Sequence, residues 1–403
     1  MSNPILENLD QHDQLELQFR QAPKAFQDDL QCALVEEPDS DTLKTWAARL
    51  TYEKQNQIHL GLLAFVIILS VVMGAFLKIP EFIDVGEDWF FERFSFYLPL
   101  VAIIFYWQVA RASIQIPLLI AVLAWAFWIM WLPDKGDPAT TMALIHSPLF
   151  GLSLLAVSFM NGTQLSKRLA YIRYLGEGSI LTVLILVGGI ILTLISLALF
   201  DFIGLRFDNF YFEYVVITGL VSAPLVATLL FHQVFSSHVR LATVLSNVFA
   251  PLFLVTVLAY IFALMVVGNS PFEDRDLLIQ FNGLLVVIWG ITVFSISGRN
   301  TEKAIGPLDW INLGLLIVTL LVNGIALAAI GYRWFEYGAT VNRFVVTGAN
   351  ILIFVHLLAL AFGMVKFLRG HWQLRHLEWL VAKYLPVYSF WSLGILVVLP
   401  IMF

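Results

Sequence analysis

The chain has 403 residues, of which 59% are apolar and only 13% are charged. Soluble globular domains carry about 25% charged residues, so this composition argues against an ordinary soluble enzyme and indicates that most of the chain faces lipid. A net charge of −6 without a basic domain argues against a nucleic-acid partner. The single cysteine, Cys32, excludes a disulfide framework and a cysteine-based metal site within the chain.

Residues 1–56 form a long polar segment, which we predict to be a cytoplasmic, acidic and helical unit. Phe26, Leu30 and Leu34 recur at intervals of four residues, a spacing typical of an amphipathic helix. Pro23 separates this helix from the one before it. Because the polar start does not look like a cleavable signal peptide, we expect the first apolar run to act as an uncleaved start-transfer helix.

Residues 57–403 alternate apolar runs with short polar breaks, which predicts an all-α, polytopic integral membrane helix bundle. Each run is near the roughly 20 residues that a helix needs to cross about 30 Å of hydrocarbon. Strands are not expected, because an open sheet edge leaves backbone groups unpaired in lipid. The eleven predicted spans are 60–79, 94–110, 114–132, 142–160, 179–200, 214–235, 244–267, 277–297, 309–331, 344–365 and 386–402.

The distribution of basic residues predicts the orientation of the bundle. With the N-terminus in the cytoplasm, sixteen of the 23 lysines and arginines fall on the inner side. Basic residues are in excess on the cytoplasmic side of membrane proteins, so this orientation is preferred to its inverse. Eleven spans then place the C-terminus outside.

The first outer loop contains a candidate for enzymatic chemistry. Asp84, Glu87 and Asp88 lie close together in the sequence, just before Trp89. Membrane glycosyltransferases that use polyprenyl-linked sugars carry acidic residues in this loop, so a polyprenyl-lipid-dependent transferase is one alternative. The simpler interpretation is an interfacial belt of aromatic residues with acids left outside the membrane.

Neutral polar residues, rather than charged ones, occur inside the predicted spans. Asn323 and Asn350 are expected at similar depth in the ninth and tenth spans, where an antiparallel hairpin would bring them together. His356 lies deeper in the tenth span. The functional interpretation is a polar seam or a proton site centred on His356. The structural interpretation is hydrogen bonding between helices.

The stretch 331–343 is predicted to be a turn at the outer surface between the ninth and tenth spans. Arg333 and Glu336 are three residues apart and would meet as an ion pair if the helix continued. Gly338 is suited to end a helix, and Thr340 is suited to cap the next one.

This turn also contains a candidate anion clamp. Arg333 and Arg343 outnumber the single acid, Glu336, and Tyr337 suits the headgroup layer. Two arginines can grip the phosphate of a lipid or of a lipid-linked substrate. The alternative is a structural corner whose arginines pair with Glu336 and with lipid phosphate.

The pattern Arg333-x-x-Glu336-Tyr-Gly-x-Thr-x-x-Arg343 resembles the mark of a bacterial membrane-protein family called domain of unknown function 4153. The stretches Leu258-Ala-Tyr-Ile261 and Phe281-Asn282 look similar too, so that the resemblance covers about the C-terminal two-thirds. Ala339 stands where a larger apolar residue is expected. The resemblance implies a polytopic protein of the bacterial inner membrane and implies no reaction.

These observations together predict transport or handling of a lipid or amphiphilic anion at the outer leaflet, without catalysis. Membrane lipids are the expected partners, and neither a cofactor nor a metal site is predicted. A further alternative is a non-catalytic scaffold or regulatory subunit that binds a protein partner through residues 1–56.

Overall fold

The computed structural model of the chain describes residues 3–9, 11–38, 40–55, 59–133, 137–202, 208–235, 241–267, 272, 275–299 and 305–402. These residues form helices and short connections, and no strand occurs among them. The prediction of an all-α fold is therefore confirmed. The predicted boundary at residue 56 lies outside the described residues.

The helices follow one another with short connections. They are α1 (His12–Gln21), α2 (Pro23–Glu36), α3 (Asp41–Gln55), α4 (Leu60–Phe76), α5 (Ile79–Phe82), α6 (Glu87–Phe94), α7 (Tyr97–Ala110), α8 (Ile116–Trp131), α9 (Pro138–Met160), α10 (Leu165–Phe202), α11 (Asp208–Phe210), α12 (Ile217–Leu230), α13 (Leu241–Val267), α14 (Arg275–Gly298), α15 (Pro307–Tyr337), α16 (Val341–Leu368), α17 (Leu374–Val397) and α18 (Leu399–Met402). Two π-helical segments, Tyr211–Val216 and Phe231–Phe235, flank α12, and a 3-10 turn spans Leu6–Asn8.

Within the described ranges, eight helical segments are long and apolar enough to cross a membrane, which indicates a multi-pass membrane protein. They are Glu87–Ala110, Pro138–Met160, Leu165–Leu194, Tyr211–Phe235, Phe281–Gly298, Pro307–Tyr337, Val341–Leu368 and Leu374–Met402. Three shorter apolar segments are Leu60–Phe76, Ile116–Trp131 and Phe249–Ala259. Each predicted span overlaps one of these segments. The 17 residues of α4 extend about 26 Å as a helix, slightly less than a hydrocarbon core of about 30 Å.

Two helices are much longer than the spans predicted within them. Helix α10 has 38 residues and extends far beyond the predicted 179–200. Helix α17 begins well before the predicted residue 386, because Leu377 and Val381 are buried in its first half and hold this part of the helix against its neighbours. Tertiary packing therefore continues both helices through segments that hydropathy assigns to loops.

The membrane helices share an apolar interior. Helices α4, α7, α8, α9 and α12 meet around buried side chains such as Met73, Ile104, Trp125 and Leu155. Helices α13–α17 meet around a second set of buried apolar side chains, which includes Leu315. The antiparallel pair α15 and α16 packs along its length, and α17 packs on both α16 and α9. Many large apolar side chains remain exposed on the outer faces of these helices, as expected of surfaces that face lipid.

The N-terminal helices α1–α3 have a core of their own, which includes Leu15, Phe26, Leu30 and Leu43. Phe26 lies 4.9 Å from the ring of Trp46 between centroids. The predicted amphipathic helix is therefore present, with Phe26 and Leu30 buried.

Candidate functional site

The stretch 331–343 is mostly helical. Helix α15 continues through Tyr337, and α16 begins at Val341, so that only residues 338–340 form the connection. The prediction of a turn over the whole stretch was wrong, because no residue before Gly338 opposes the helix. Gly338 ends α15 with a φ of 73°, and Thr340 caps α16 by accepting a 3.3 Å hydrogen bond from the Arg343 amide.

Arg333 reaches toward the connection between α13 and α14. Its Nε donates to the carbonyl oxygen of Phe272 at 3.3 Å, and the Phe272 ring packs edge-on against Tyr332. No hydrogen bond or ion pair joins Arg333 to Glu336, although both lie in the described part of the chain. The predicted ion pair was therefore wrong, because the arginine side chain extends to another helix connection while Glu336 is exposed.

Arg343 holds the end of the helix that precedes its own. Its Nη1 donates to the carbonyl oxygens of Tyr337 at 3.0 Å and of Gly338 at 2.5 Å. The last carbonyls of a helix have no intrahelical partner, so this guanidinium acts as a cap for α15. The capping uses Nη1 alone, and Nε and Nη2 bond to no other described residue.

Two other arginines cap helix ends in the same way, and sequence reasoning missed both. Arg93, which is only 3% exposed, donates from Nε to Ile129 O at 2.9 Å and from Nη2 to Leu132 O and Pro133 O at 3.0 and 2.8 Å, at the end of α8. Arg111 donates to the carbonyl oxygen of Ser158 at 3.1 Å, at the end of α9. The pattern alone gives no signal for them, because the carbonyl acceptors carry no sequence signature.

The predicted contact between Asn323 and Asn350 is formed. Asn323 Nδ2 donates to the backbone carbonyl of Asn350 at 3.2 Å, and Asn350 Nδ2 donates to Val346 O at 2.8 Å. Both side chains are buried. The side-chain oxygens of both asparagines are buried without a hydrogen-bond partner.

His356 lies in an aromatic box rather than beside the two asparagines. Its Nδ1 is 3.1 Å from Trp289 Nε1 on α14 and 3.0 Å from the Tyr388 hydroxyl on α17. Its ring stacks on Tyr384, with centroids 4.2 Å apart and planes 9° apart. No hydrogen bond connects His356 to Asn323 or Asn350, all three of which are described. The polar seam is thus divided into two separate clusters.

The tautomer of His356 follows from its partner on α14. The indole N–H of Trp289 is a donor only, so Nδ1 must accept and the neutral ring carries its proton on Nε2. A proton added at Nδ1 would break the bond from Trp289. This arrangement suits a fixed neutral imidazole better than a proton relay.

Asp84, Glu87 and Asp88 are exposed, and the last two lie in the first turn of α6. Carboxylates are stabilised near a helix N-terminus, so this position suits a structural role. Within the described part of the chain, no group of three His, Cys, Asp or Glu side chains is close enough to hold a metal ion.

No protein-family model matches the chain, and comparisons with curated proteins and with solved structures find no similar one. The resemblance to domain of unknown function 4153 therefore stays a prediction.

A charged cluster at the other end of the bundle was also missed. Arg299 forms two hydrogen bonds with Asp309, at 2.8 and 2.9 Å, and the backbone N–H of Gly306 donates to the same carboxylate at 2.9 Å. Arg173 on α10 reaches Glu378 on α17 at 3.2 Å. The Gly-Pro dipeptide that precedes Asp309 could have signalled a helix start. The pairing itself depends on how helices pack.

Proposed function

We propose that this chain is a bacterial inner-membrane protein with eleven spans, an inner N-terminus and an outer C-terminus. We further propose that it handles a lipid or amphiphilic anion at the outer leaflet. The excess of basic residues on one side supports the orientation. The contact of Arg173 with Glu378 supports the proposed alternation of spans, because it joins two helix ends that this topology assigns to the same side.

The observation that carries the functional proposal is that two capping arginines differ in how many of their guanidinium nitrogens donate hydrogen bonds within the protein. Arg93 is buried and engages Nε, Nη1 and Nη2 with backbone carbonyls. Arg343 is partly exposed and engages only Nη1. Capping fixes the plane of the Arg343 guanidinium and leaves the Nε and Nη2 donors for an incoming phosphate or carboxylate. Preorganised guanidinium groups bind such anions through two parallel hydrogen bonds.

The surroundings of Arg343 suit an amphiphile. Phe335 is 94% exposed and Tyr337 is 66% exposed, and these rings provide an apolar contact next to the cation. Aromatic side chains are enriched at the level of lipid headgroups. Within residues 331–343, the sequence has two arginines, Arg333 and Arg343, and one acid, Glu336.

Native mass spectrometry of the purified full-length protein in detergent tests this proposal. The wild type should retain phosphatidylglycerol in preference to phosphatidylcholine, and the double variant R333Q/R343Q should lose that preference. The matched control is R369Q/R375Q, which removes two exposed basic residues from the opposite end of α16 and the start of α17. An equal loss of preference in both double variants would contradict a specific site, as would an unchanged preference in R333Q/R343Q.

A further inference from the structure

Helix α15 carries a buried polar stripe on one face. Among the described residues, α15 buries four polar side chains, which are Asp309, Asn312, Thr319 and Asn323. At 3.6 residues per turn they fall within an arc of about 80°. Amphipathicity toward water does not explain the stripe, because its members are buried inside the bundle. The stripe runs from the Arg299–Asp309 ion pair toward Asn350 on α16.

The hydrogen bonds around Asn323 and Asn350 fix the direction of both amides. The partner of each Nδ2 is a backbone carbonyl oxygen, at 3.2 Å for Asn323 and 2.8 Å for Asn350. A carbonyl oxygen only accepts hydrogen bonds, so the NH₂ group must face it and the two amides cannot be exchanged for their flipped forms. The oxygens Oδ1 of both residues are consequently left as buried acceptors without a partner.

Two unpartnered acceptors define the chemistry of what they can bind. A buried acceptor is stabilised by a hydrogen-bond donor or by a cation, whereas an anion or a carbonyl group would be repelled. A buried polar site of this kind ordinarily holds a small guest that satisfies several groups at once. The anion proposed at the outer corner is excluded here, because both unpartnered atoms are acceptors.

We propose that Asn323 and Asn350 form an internal site, between α15 and α16, for a small electropositive guest, either a water molecule or a monovalent cation. The guest bonds to Oδ1 of both residues and so links the two side chains. The side chains share no direct hydrogen bond, because Asn323 contacts the backbone of Asn350 and not its amide. Neighbouring residues can also couple by direct packing, so only coupling that exceeds that of a control pair reports on the guest.

The experiment is a double-mutant cycle on the full-length protein in nanodiscs, read as the apparent Tm. The variants are N323L, N350L and N323L/N350L, in which leucine has nearly the shape of asparagine. The control cycle pairs N350L with T319V. Thr319 lies on the same face of α15, but its hydroxyl is already satisfied by Leu315 O at 2.6 Å.

With the guest present, the double variant N323L/N350L should have a Tm no lower than that of the worse single variant. The losses in the control cycle should add. Additive losses in both cycles would overturn the proposal, and so would equal coupling in both. Repeating the cycle in NaCl, KCl and choline chloride at one ionic strength identifies the guest. A Tm increment that requires Na⁺ or K⁺ and that vanishes in the variants indicates a cation, and coupling without such an increment indicates water.

Discussion

Arg343 donates a 3.0 Å hydrogen bond from Nη1 to the carbonyl oxygen of Tyr337, the last residue of α15. A side chain in the first turn of one helix thereby caps the end of the helix before it. Arg93, near the end of α6, also caps the end of α8, and Arg111, just after α7, caps the end of α9. Helix C-termini carry unpaired carbonyls and a partial negative charge, and near lipid, water satisfies these groups poorly. Arginine caps meet this need at three helix ends.

Arg93→Gln should destabilise the protein far more than Arg343→Gln. Each hydrogen bond from a charged donor contributes about 1.5–3 kcal/mol, and Arg93 makes several while buried. We expect a loss of at least about 3 kcal/mol for R93Q and about 1 kcal/mol for the partly exposed R343Q. Denaturant unfolding in detergent measures both, and similar losses would contradict the distinction between the two caps.

The ion pair between Arg299 and Asp309 should show strong non-additivity. Removing one partner from a buried pair costs about 3–5 kcal/mol, because the other charge stays buried. We expect R299Q and D309N each to lower the free energy of unfolding by roughly this amount. The double variant R299Q/D309N should lose clearly less than the sum of the two. Strictly additive losses would show that the two side chains act independently.

Some features of the fold and of the candidate site could be predicted from the sequence, whereas the arginine contacts could not. The positions of the apolar helices, the Gly338 helix end and the Thr340 cap were predictable, because they depend on hydropathy and on local backbone preferences. The contact between Asn323 and Asn350 was predictable, because the two residues lie at similar depth in consecutive antiparallel spans. The carbonyl acceptors of Arg93, at the end of α8, and of Arg333, on the α13–α14 connection, were not, because a backbone carbonyl carries no sequence signature. The length of α17 depended on packing in the same way.

Acidification should loosen the N-terminal helices α1–α3. Hydrogen bonds from Arg49 and Arg20 lower the pKa of Glu16 from 4.5 to about 2. A carboxylate whose pKa is lowered by folding stabilises the folded state above the unfolded pKa. This contribution is lost as the pH falls from about 4.5 toward 2.

Cys32 offers a direct probe of this transition. It is the only cysteine in the chain, and it is exposed on α2 within the same unit. An environment-sensitive dye on Cys32 should report a change between pH 4.5 and 2 in the full-length wild type. The variant E16Q lacks the titrating group and should already show the acid-form signal at neutral pH. If E16Q showed the same transition as the wild type, the transition would have to come from other carboxylates.

Gly348 should tolerate no side chain, because α16 and α17 approach closely at this point. A Cβ at this position would overlap the six-membered ring of the Trp391 indole. Inserting atoms into a packed interior costs about 1–3 kcal/mol. Gly348→Ala should therefore lower the free energy of unfolding by that amount, even though alanine favours helices. Small residues allow this kind of close approach between membrane helices.

Gly324 provides the matched control on α15. A Cβ at this position would have no atom within 4 Å outside the adjoining backbone of α15, so Gly324→Ala should stabilise the helix by about 0.5–1 kcal/mol. Replacing Trp391 by leucine removes the ring that the added methyl group of G348A would meet, and G348A should then cost little in the W391L background. If G348A remained equally destabilising in W391L, the close approach of α16 and α17 would have to be set by backbone contacts rather than by the indole. The cycle thus separates side-chain overlap from backbone strain at the interface that positions both Asn350 and His356.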